Sequence, residues 1–139
     1  MTPAIPPDLR AQVHRLDRAC CAYYQTPEAL TITTFEMDHI IPVSAGGATL
    51  LENLCLTCPA CNRYKATRQT APDPDTGRIV ALYHPRRDQW YVHFAWTDDR
   101  QRILGITPAG RATVAALRMN RPQLVNLRRI WTKTDIVLS

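Results

Sequence analysis

The sequence lacks the features that would assign a protein to a membrane or to an extracellular compartment. No apolar run approaches the roughly 18 residues that a membrane-spanning helix needs. Residues 1–8 have neither the basic start nor the apolar core of a signal peptide. The chain also has no internal repeat and no low-complexity segment. We therefore expect a cytoplasmic protein that does not bind membranes.

Structural disulfides are not expected for the five cysteines either, because a reducing compartment disfavours them. Cys58 and Cys61 have Cys-x-x-Cys spacing, which in such a compartment indicates metal ligands. Cys55 falls in a predicted strand, where a buried core position is favoured. The chain of 139 residues, 45% of them hydrophobic, is long enough for one compact domain or for a small module with an appendage.

Positive charge is concentrated in the second half of the chain. Residues 1–70 contain six basic and six acidic side chains, whereas residues 71–139 contain eleven basic and six acidic ones. The whole net charge of +5 therefore lies after residue 70. A basic half of this kind can hold a polyanion by releasing counterions from phosphates, although solvated arginines on an ordinary surface would look the same.

The first half is predicted to contain a helix followed by two strands and a second helix. Asp8 is a candidate N-cap for a helix over residues 8–19. Residues 31–41 are rich in threonine, isoleucine and phenylalanine, which favours a strand. Residues 54–56 predict a short second strand, and residues 59–65 predict the start of a helix. The order after the first helix is β, β, α.

The second half is predicted to contain a small antiparallel sheet. Residues 67–77 hold two prolines and a closing glycine, and they predict an extended loop. Residues 78–84 and 90–96 are rich in β-forming residues and would form a hairpin through the turn at 85–89. Residues 103–106 could add a third strand.

Two helices are predicted after this sheet. Thr107 and Pro108 have the form of an N-cap followed by proline at the first helical position, and that helix would run to about residue 119. A second helix would start at Pro122. We therefore predict an α+β fold with three segments: a module over residues 1–66, a loop over 67–77, and a basic appendage of β-hairpin and helices over 78–139 that packs on the module.

The residues that could perform chemistry lie between positions 36 and 65. Asp38 and His39 are adjacent in the predicted first strand, Asn53 precedes the second strand, and Asn62 lies in the first turn of the following helix. Hydrolysis of a phosphodiester needs an activated water and a metal that neutralises charge on the phosphate. The ordinary pKa of histidine, near 6.5, suits His39 for proton abstraction. Carboxylate and amide oxygens of Asp38 and Asn62 suit Mg²⁺.

This arrangement resembles the HNH endonucleases, in the variant that has asparagine where other members have the last histidine. The resemblance is clearest from Phe35 to Lys65 and extends over roughly residues 18–131, because the tail looks like that of small stand-alone bacterial members. It implies a ββα-metal fold and metal-dependent cleavage of DNA with Mg²⁺ or Mn²⁺. It also implies roles for single residues: the general base for His39, catalytic support across the loop for Asn53, and metal binding for Asp38 and Asn62.

Four basic residues are candidates for contact with phosphates. Arg63 and Lys65 lie at the start of the metal-site helix, and Arg86 and Arg87 lie at the predicted hairpin tip. The expected partner is nucleic acid, with DNA favoured. Protein partners and a homodimer are left open by the sequence.

The chain departs from the family at a cysteine position. Relatives usually pair a Cys-x-x-Cys such as Cys58 and Cys61 with an upstream Cys-x-x-Cys, and the four thiolates hold a structural zinc. Here the upstream stretch begins at Cys21, and the fourth ligand position is Tyr24. Three outcomes are open: a zinc on Cys21, Cys58 and Cys61 completed by another ligand, a metal-free knuckle packed by Tyr24, or a shifted register that uses Cys20. Because a structural zinc has four protein ligands, a weak or absent zinc is favoured.

Two functions of different classes are compatible with these patterns. The first is a metal-dependent endonuclease that hydrolyses DNA phosphodiester bonds, and the intact set of Asp38, His39 and Asn62 favours it. The second is a catalytically inactive nucleic-acid-binding or assembly module within a defence or mobile-element complex. The missing fourth cysteine favours this alternative.

Overall fold

The computed structural model describes residues 4–133 and has an α+β architecture of short helices and two-stranded antiparallel sheets, as predicted. Its strands are β1 Glu36–His39, β2 Leu54–Thr57, β3 Thr70–Pro72, β4 Ile79–Ala81, β5 Phe94–Trp96 and β6 Ile103–Gly105. Its α-helices are α1 Pro7–Leu16, α2 Pro59–Lys65, α3 Trp90–His93, α4 Pro108–Ala116 and α5 Pro122–Thr132. No helix among residues 4–133 is long and apolar enough to cross a membrane.

The chain divides into two compact units. The first unit contains the described residues up to Gln69 together with His84–Arg87. The second contains Thr70–Tyr83 and the described residues from Asp88 onward. Each unit is described by itself below.

Helix α1 opens the first unit and begins one residue earlier than the sequence indicates. Pro6 occupies the N-cap position and Pro7 the first helical position, which its restricted φ angle suits. The prediction that Asp8 is the N-cap is therefore wrong. Asp8 lies in the first turn instead, where a negative charge stabilises the positive end of the helix dipole. Val13 is the fully buried residue of this helix.

The centre of the first unit is the antiparallel pair β1–β2, followed by α2. Asp38 pairs with Cys55 and His39 pairs with Leu54, so both candidate catalytic residues lie at the end of β1. Every residue of β2 is buried. The observed strand β1 covers only the last part of the predicted strand at 31–41, whereas the bounds of α2 agree with the prediction.

The second unit differs most from the prediction. The predicted loop at 67–77 contains strand β3, which pairs with β4 through a turn that Asp73 organises. Strand β5 pairs with β6. The described residues of this unit therefore form two separate two-stranded sheets, and the predicted three-stranded sheet with a hairpin at 85–89 is wrong.

The aromatic segment from residue 90 also differs from the predicted strand. Residues 90–93 form α3, and only residues 94–96 are extended. One helical turn brings Trp90 and Phe94 onto the same side, and their ring centroids lie 5.1 Å apart. The Trp96 ring lies 5.6 Å from that of Trp90. Contact among these three tilted rings, of which Trp90 and Phe94 are buried, thus outweighs the local preference of these residues for extended structure.

Helix α4 begins as the sequence predicts. The Thr107 hydroxyl accepts a hydrogen bond of 3.0 Å from the Gly110 amide, and Pro108 follows at the first helical position. The backbone packs closely here, because a Cβ on Gly110 would meet the His93 carbonyl oxygen at 2.0 Å. The helix ends at Ala116, earlier than the predicted residue 119.

An ion pair joins α4 to the turn between β3 and β4. The Arg111 side chain donates hydrogen bonds of 3.0 and 2.8 Å to the two carboxylate oxygens of Asp73, whose side chain is inaccessible to solvent. These hydrogen bonds from Arg111 lower the pKa of Asp73 to about 2. Asp73 also accepts from the Asp75 amide and the Thr76 hydroxyl. The turn therefore depends on an ionised carboxylate.

Candidate active site

A cleft of about 410 Å³ in the first unit brings together the residues predicted to perform catalysis. Asp38 and His39 reach it from β1, and Asn62 reaches it from α2. Its lining comes from β1, from the loop after it and from α2 and its end: Met37, Asp38, His39, Pro42, Val43, Ser44, Asn62, Ala66 and Thr67. The cleft therefore has a carboxylate, an imidazole and an amide on its walls.

Asp38 is held by two buried side chains. Its Oδ2 accepts a hydrogen bond of 2.9 Å from the Tyr23 hydroxyl and lies 3.1 Å from the Lys65 Nζ. Its Oδ1 has a longer contact of 3.4 Å with the same ammonium group. Burial raises the pKa of Asp38 above its ordinary value, and the charge of Lys65 opposes this rise. The carboxylate thus has one oxygen engaged by Tyr23 and Lys65 and the other less strongly bound.

His39 is held through one ring nitrogen. Its Nε2 lies 3.0 Å from the Thr49 hydroxyl oxygen, and the residue is 9% exposed. Within residues 4–133, no group forms a hydrogen bond to the other ring nitrogen, Nδ1. The imidazole therefore has one nitrogen tied to the loop and one that is open to a water molecule.

Asn53 connects the end of β1 to the loop that follows it. Its Oδ1 accepts from the Ile41 amide at 2.8 Å, and its Nδ2 donates to the carbonyls of Ile41 and Ala48, each at 2.9 Å. Asn53 is not one of the residues that line the cleft. A role in holding the loop, as the family resemblance implies, is compatible with these three hydrogen bonds.

The two loop glycines are needed for this close packing. Gly46 has a φ of +87°, in the left-handed region that favours glycine. A Cβ on Gly47 would lie 1.8 Å from the Ile41 carbonyl oxygen and 2.8 Å from Asn53 Nδ2. A side chain at position 47 would therefore push the loop away from Asn53.

Asn62 is oriented by a carboxylate that lies two residues before Asp38 on the same strand. The Asn62 Nδ2 donates a hydrogen bond of 3.0 Å to Oε1 of the exposed Glu36. Because the amide nitrogen is engaged there, the amide oxygen is left as an acceptor. The oxygens of Asp38 and Asn62 are the hard donors that Mg²⁺ and Mn²⁺ prefer, so the residues present fit such an ion. Among residues 4–133 there is no group of three or more His, Cys, Asp or Glu side chains that could hold a metal.

Two of the four residues predicted to contact phosphates, Lys65 and Arg86, are paired with carboxylates of the same unit. Lys65 is 2% exposed, and its ammonium group also donates to the Ile40 carbonyl at 3.0 Å, so it faces the interior. The Arg86 guanidinium forms a bidentate pair with Asp17 at 2.7 and 2.8 Å. Both cations compensate buried or half-buried carboxylates. Arg63 and Arg87 are exposed and keep the predicted role as proposals.

The three cysteines of the predicted zinc site lie together with Tyr24 in the interior of the first unit: Cys21, Cys58 and Cys61. Cys21, Cys61 and Tyr24 all form hydrogen bonds with the Cys58 sulfur, and the Cys61 backbone amide donates to it at 3.3 Å. These bonds, that from Cys21 above all, hold the pKa of Cys58 well below its ordinary value. Burial raises the pKa of Cys21 to about 12 and also raises the pKa of Tyr24. Three thiols and one phenol therefore converge at a position where a structural zinc usually has four strong ligands.

The other two cysteines, Cys20 and Cys55, have different contacts. The Cys20 thiol donates to the Arg18 carbonyl at 3.4 Å, which gives no support to a shifted zinc register. Cys55 is fully buried in β2, as predicted, and lies near Asp38, with 3.9 Å between its sulfur and Oδ2.

Sequence reasoning missed Tyr23 and Thr49, the hydrogen-bond partners of Asp38 and His39. Tyr23 lies 15 residues before Asp38, and Thr49 lies 10 residues after His39. Neither residue belongs to a regular element whose periodicity would place it on the cleft. The spacing of these residues in the sequence therefore predicts neither contact.

Comparison with known proteins agrees with the geometry of the cleft. The family model described as HNH endonuclease matches residues 21–68, which include Asp38, His39, Asn53 and Asn62. No curated protein and no solved structure gives a significant match to the chain. HNH nucleases generally act on nucleic acid and use divalent metal ions. The segment of the chain that carries the cleft, residues 21–68, is therefore similar to the HNH endonuclease domain.

Proposed function

We propose that this protein is a metal-dependent endonuclease that hydrolyses DNA phosphodiester bonds in the cleft of its first unit. The observation that carries the proposal is the shared cleft of Asp38, His39 and Asn62, which come from two elements 23 residues apart in the chain. Each of the three side chains brings a different chemical group to one space. Hydrolysis of a phosphodiester needs this combination of base and hard-oxygen ligands.

His39 is the proposed general base. Its Nε2 is engaged by Thr49, and its Nδ1 can take a proton from a water molecule that enters the cleft. A neutral imidazole has a lone pair on one ring nitrogen that can accept this proton. Asn53 supports the base indirectly by holding the loop against the strand end.

Asp38 and Asn62 are the proposed ligands of Mg²⁺ or Mn²⁺. The ion would neutralise charge on the phosphate and on the leaving oxygen. Two sets of contacts orient these ligands. Glu36 accepts a hydrogen bond from the Asn62 amide nitrogen, which leaves the amide oxygen as a ligand. Tyr23 and Lys65 bind Oδ2 of Asp38, so Oδ1 is the better ligand atom. A positive charge next to Asp38 weakens its attraction for a second cation, so we expect modest metal affinity.

A nicking assay on supercoiled plasmid tests the proposal. The wild-type protein should nick DNA with Mg²⁺ or Mn²⁺ and not with EDTA. His39→Ala should lose roughly a hundred- to ten-thousandfold in rate, because that is the usual contribution of a general base. DNA binding and thermal stability of the variant should match those of the wild type. Near-normal cleavage by His39→Ala would show that another group takes the proton.

Contact with DNA is proposed to involve exposed arginines. Arg63 lies in α2 next to Asn62, and Arg87 is exposed within the same unit. In the second unit, residues 100–133 contain no acidic side chain, and Arg100, Arg102, Arg118 and Arg129 are exposed. Binding should weaken steeply with salt, with a log–log slope of about −0.9 for each phosphate neutralised. A flat salt dependence would mean that this charge faces another partner.

A binding or assembly module without catalysis is the second candidate. The observation that favours it is the ion pair of Asp38 with Lys65, which satisfies the carboxylate without a metal. Under this alternative the protein would bind DNA in a salt-dependent manner, and neither Mg²⁺ nor Mn²⁺ would produce nicking. The same plasmid assay, combined with a binding measurement, separates the two candidates.

A further inference from the structure

The walls of the cleft contain no arginine or lysine among the described residues that line it. Lys65, three residues after Asn62, is 2% exposed and turns inward to Asp38, with 3.1 Å between the ammonium group and Oδ2. A nucleic-acid strand has a negative charge on every phosphate. Phosphates that enter the cleft must therefore be held by neutral donors or by a metal ion.

Two hydroxyl groups on the walls can act as such donors. Ser44 belongs to the loop after β1, and Thr67 follows the end of α2. Within residues 4–133, neither side chain forms a hydrogen bond with another protein group. Serine and threonine hydroxyls commonly donate to the phosphate oxygens of nucleic acids. Both hydroxyls are therefore available to a phosphodiester strand in the cleft.

Thr67 is brought to the cleft by a turn that does not suit its sequence. Ala66 has a φ of +50° and a ψ of −128°, and the Arg68 amide donates a hydrogen bond of 3.0 Å to the Lys65 carbonyl. These values define a type II′ turn, in which glycine is strongly preferred at the position of Ala66. An alanine with this conformation costs free energy, and proteins retain such strain mainly at functional sites.

The turn is anchored through its first residue. The Lys65 ammonium group is paired with Asp38, and it also donates a hydrogen bond of 3.0 Å to the Ile40 carbonyl. Thr67 lies two residues later in the chain. Its position is therefore set relative to the strand end that carries the catalytic residues.

Ser44 also lies on backbone that is held in place. It is the middle residue of a short helical turn, Val43–Ala45, which ends at Gly46 in the left-handed conformation. The Gly46 amide donates a hydrogen bond of 3.0 Å to the Val43 carbonyl. Glycine is the residue that adopts this conformation most readily, so the turn is compatible with its sequence.

We propose that Ser44 and Thr67 bind phosphate oxygens of the substrate strand next to the phosphate that is cleaved, an inference that rests on the proposed nuclease function. Ala66 lies one helical turn, about 5.4 Å, beyond Asn62. Thr67 would therefore meet a neighbouring phosphate rather than the one at the proposed metal ligands. The hydroxyls supply hydrogen bonds without charge, whereas Arg63, which is exposed and outside the cleft lining, supplies charge.

The test compares Ser44→Ala and Thr67→Val, which remove the hydroxyls, with Thr67→Ser, which keeps one. Thr34→Val is the matched control, because Thr34 is exposed and lies outside the cleft lining. Arg63→Gln is the comparison for loss of a charge. Affinity for a labelled DNA duplex is measured by fluorescence anisotropy in EDTA at several salt concentrations, and KM and kcat are measured by plasmid nicking with Mg²⁺.

Ser44→Ala and Thr67→Val should each bind DNA roughly tenfold more weakly, the usual effect of losing a hydrogen bond to a charged group. Their salt dependence should match that of the wild type, because no charge is removed. Arg63→Gln should instead reduce the log–log salt slope by about 0.9. KM of the two hydroxyl variants should rise roughly tenfold with little change in kcat, because the contact is present before and during the reaction. Thr67→Ser and Thr34→Val should behave as the wild type, and all variants should keep its melting temperature.

Two results would overturn the proposal: an affinity and KM of Ser44→Ala or Thr67→Val equal to those of Thr34→Val, or a loss in Thr67→Ser equal to that in Thr67→Val. Either result with a wild type that nicks plasmid would leave the nuclease function standing. Weaker binding by the hydroxyl variants, without any nicking by the wild type, would refute the nuclease function and leave the phosphate contacts established. A wild type that binds no DNA would refute both.

Discussion

Replacement of Lys65 by methionine tests the reasoning about the buried ion pair most directly. The side chain is 2% exposed, and the Asp38 side chain is 4% exposed, so solvent does not screen the pair. The substitution keeps the length of the side chain and removes its charge. Asp38 is then left in the interior without a cation, and the Ile40 carbonyl loses a donor at 3.0 Å.

The expected cost is large. Removing one partner of a buried ion pair typically lowers the free energy of unfolding by about 3–5 kcal/mol, because the other charge stays buried without compensation. We therefore expect Lys65→Met to lower the free energy of unfolding by about 3–5 kcal/mol. Asp38→Asn combined with Lys65→Met should recover part of the loss, because no unpaired charge remains. The other lysine of the chain, Lys133, is exposed, and Lys133→Met should change stability by less than about 0.5 kcal/mol.

Urea unfolding followed by far-UV circular dichroism measures these differences. Tryptophan fluorescence would not measure the unfolding of the first unit. The three tryptophans all lie in the second unit and report on its unfolding: Trp90, Trp96 and Trp131. A loss below about 1 kcal/mol for Lys65→Met, or a double variant no more stable than this single one, would show that the pair does not carry the assumed energy.

Three further predictions concern other parts of the chain. The pKa of Asp73 is lowered to about 2, below the unfolded value near 3.9, so its contribution to stability is complete above about pH 4 and is lost as the pH falls toward 2. Asp73→Asn should flatten the acid limb of the melting temperature measured between these pH values, and an unchanged limb would exclude this carboxylate as its source. Tyr24→Cys should raise the zinc content, measured by elemental analysis, and the thermal stability, because it supplies a fourth thiolate; a tight, EDTA-resistant zinc in the wild type would contradict this. Arg87→Glu should weaken DNA binding without lowering the melting temperature, because Arg87 is exposed. Arg86→Glu should lower the melting temperature, because the new carboxylate repels Asp17. Equal effects of the two variants on binding and stability would refute the different roles given to these arginines.

Local signals were sufficient for several elements. The N-cap of α4 is predictable because Thr107 bonds to an amide only three residues away, and Pro108 suits the first helical position regardless of the rest of the fold. The bounds of α2 are predictable for the same reason, since Cys58 caps it and Pro59 opens it. The similarity of residues 21–68 to the HNH endonucleases is recognisable because the motif residues have a fixed order and spacing in the sequence.

Strand pairing in the second unit was not predictable from local signals. Residues 78–84 and 90–96 are both rich in β-forming residues, yet they do not pair with each other. The partner of β4 is β3, within the segment whose prolines and glycine indicated a loop. A turn closed by Asp73 and Gly77, with Gly77 at a φ of +75°, decides the pairing, and its ion pair comes from Arg111, 38 residues away.

The sequence by itself determined the chemical groups available for catalysis and their order: the Asp38–His39 pair, the supporting Asn53 and the Asn62 at the helix start. It also determined the missing thiolate at Tyr24, since these features depend only on residue type and spacing. The tertiary structure alone decided which cations and hydroxyl groups contact these catalytic residues. Lys65 turns inward to Asp38, and Thr49 binds the His39 ring, because burial makes an unpaired charge or polar atom costly and favours partners distant in the chain.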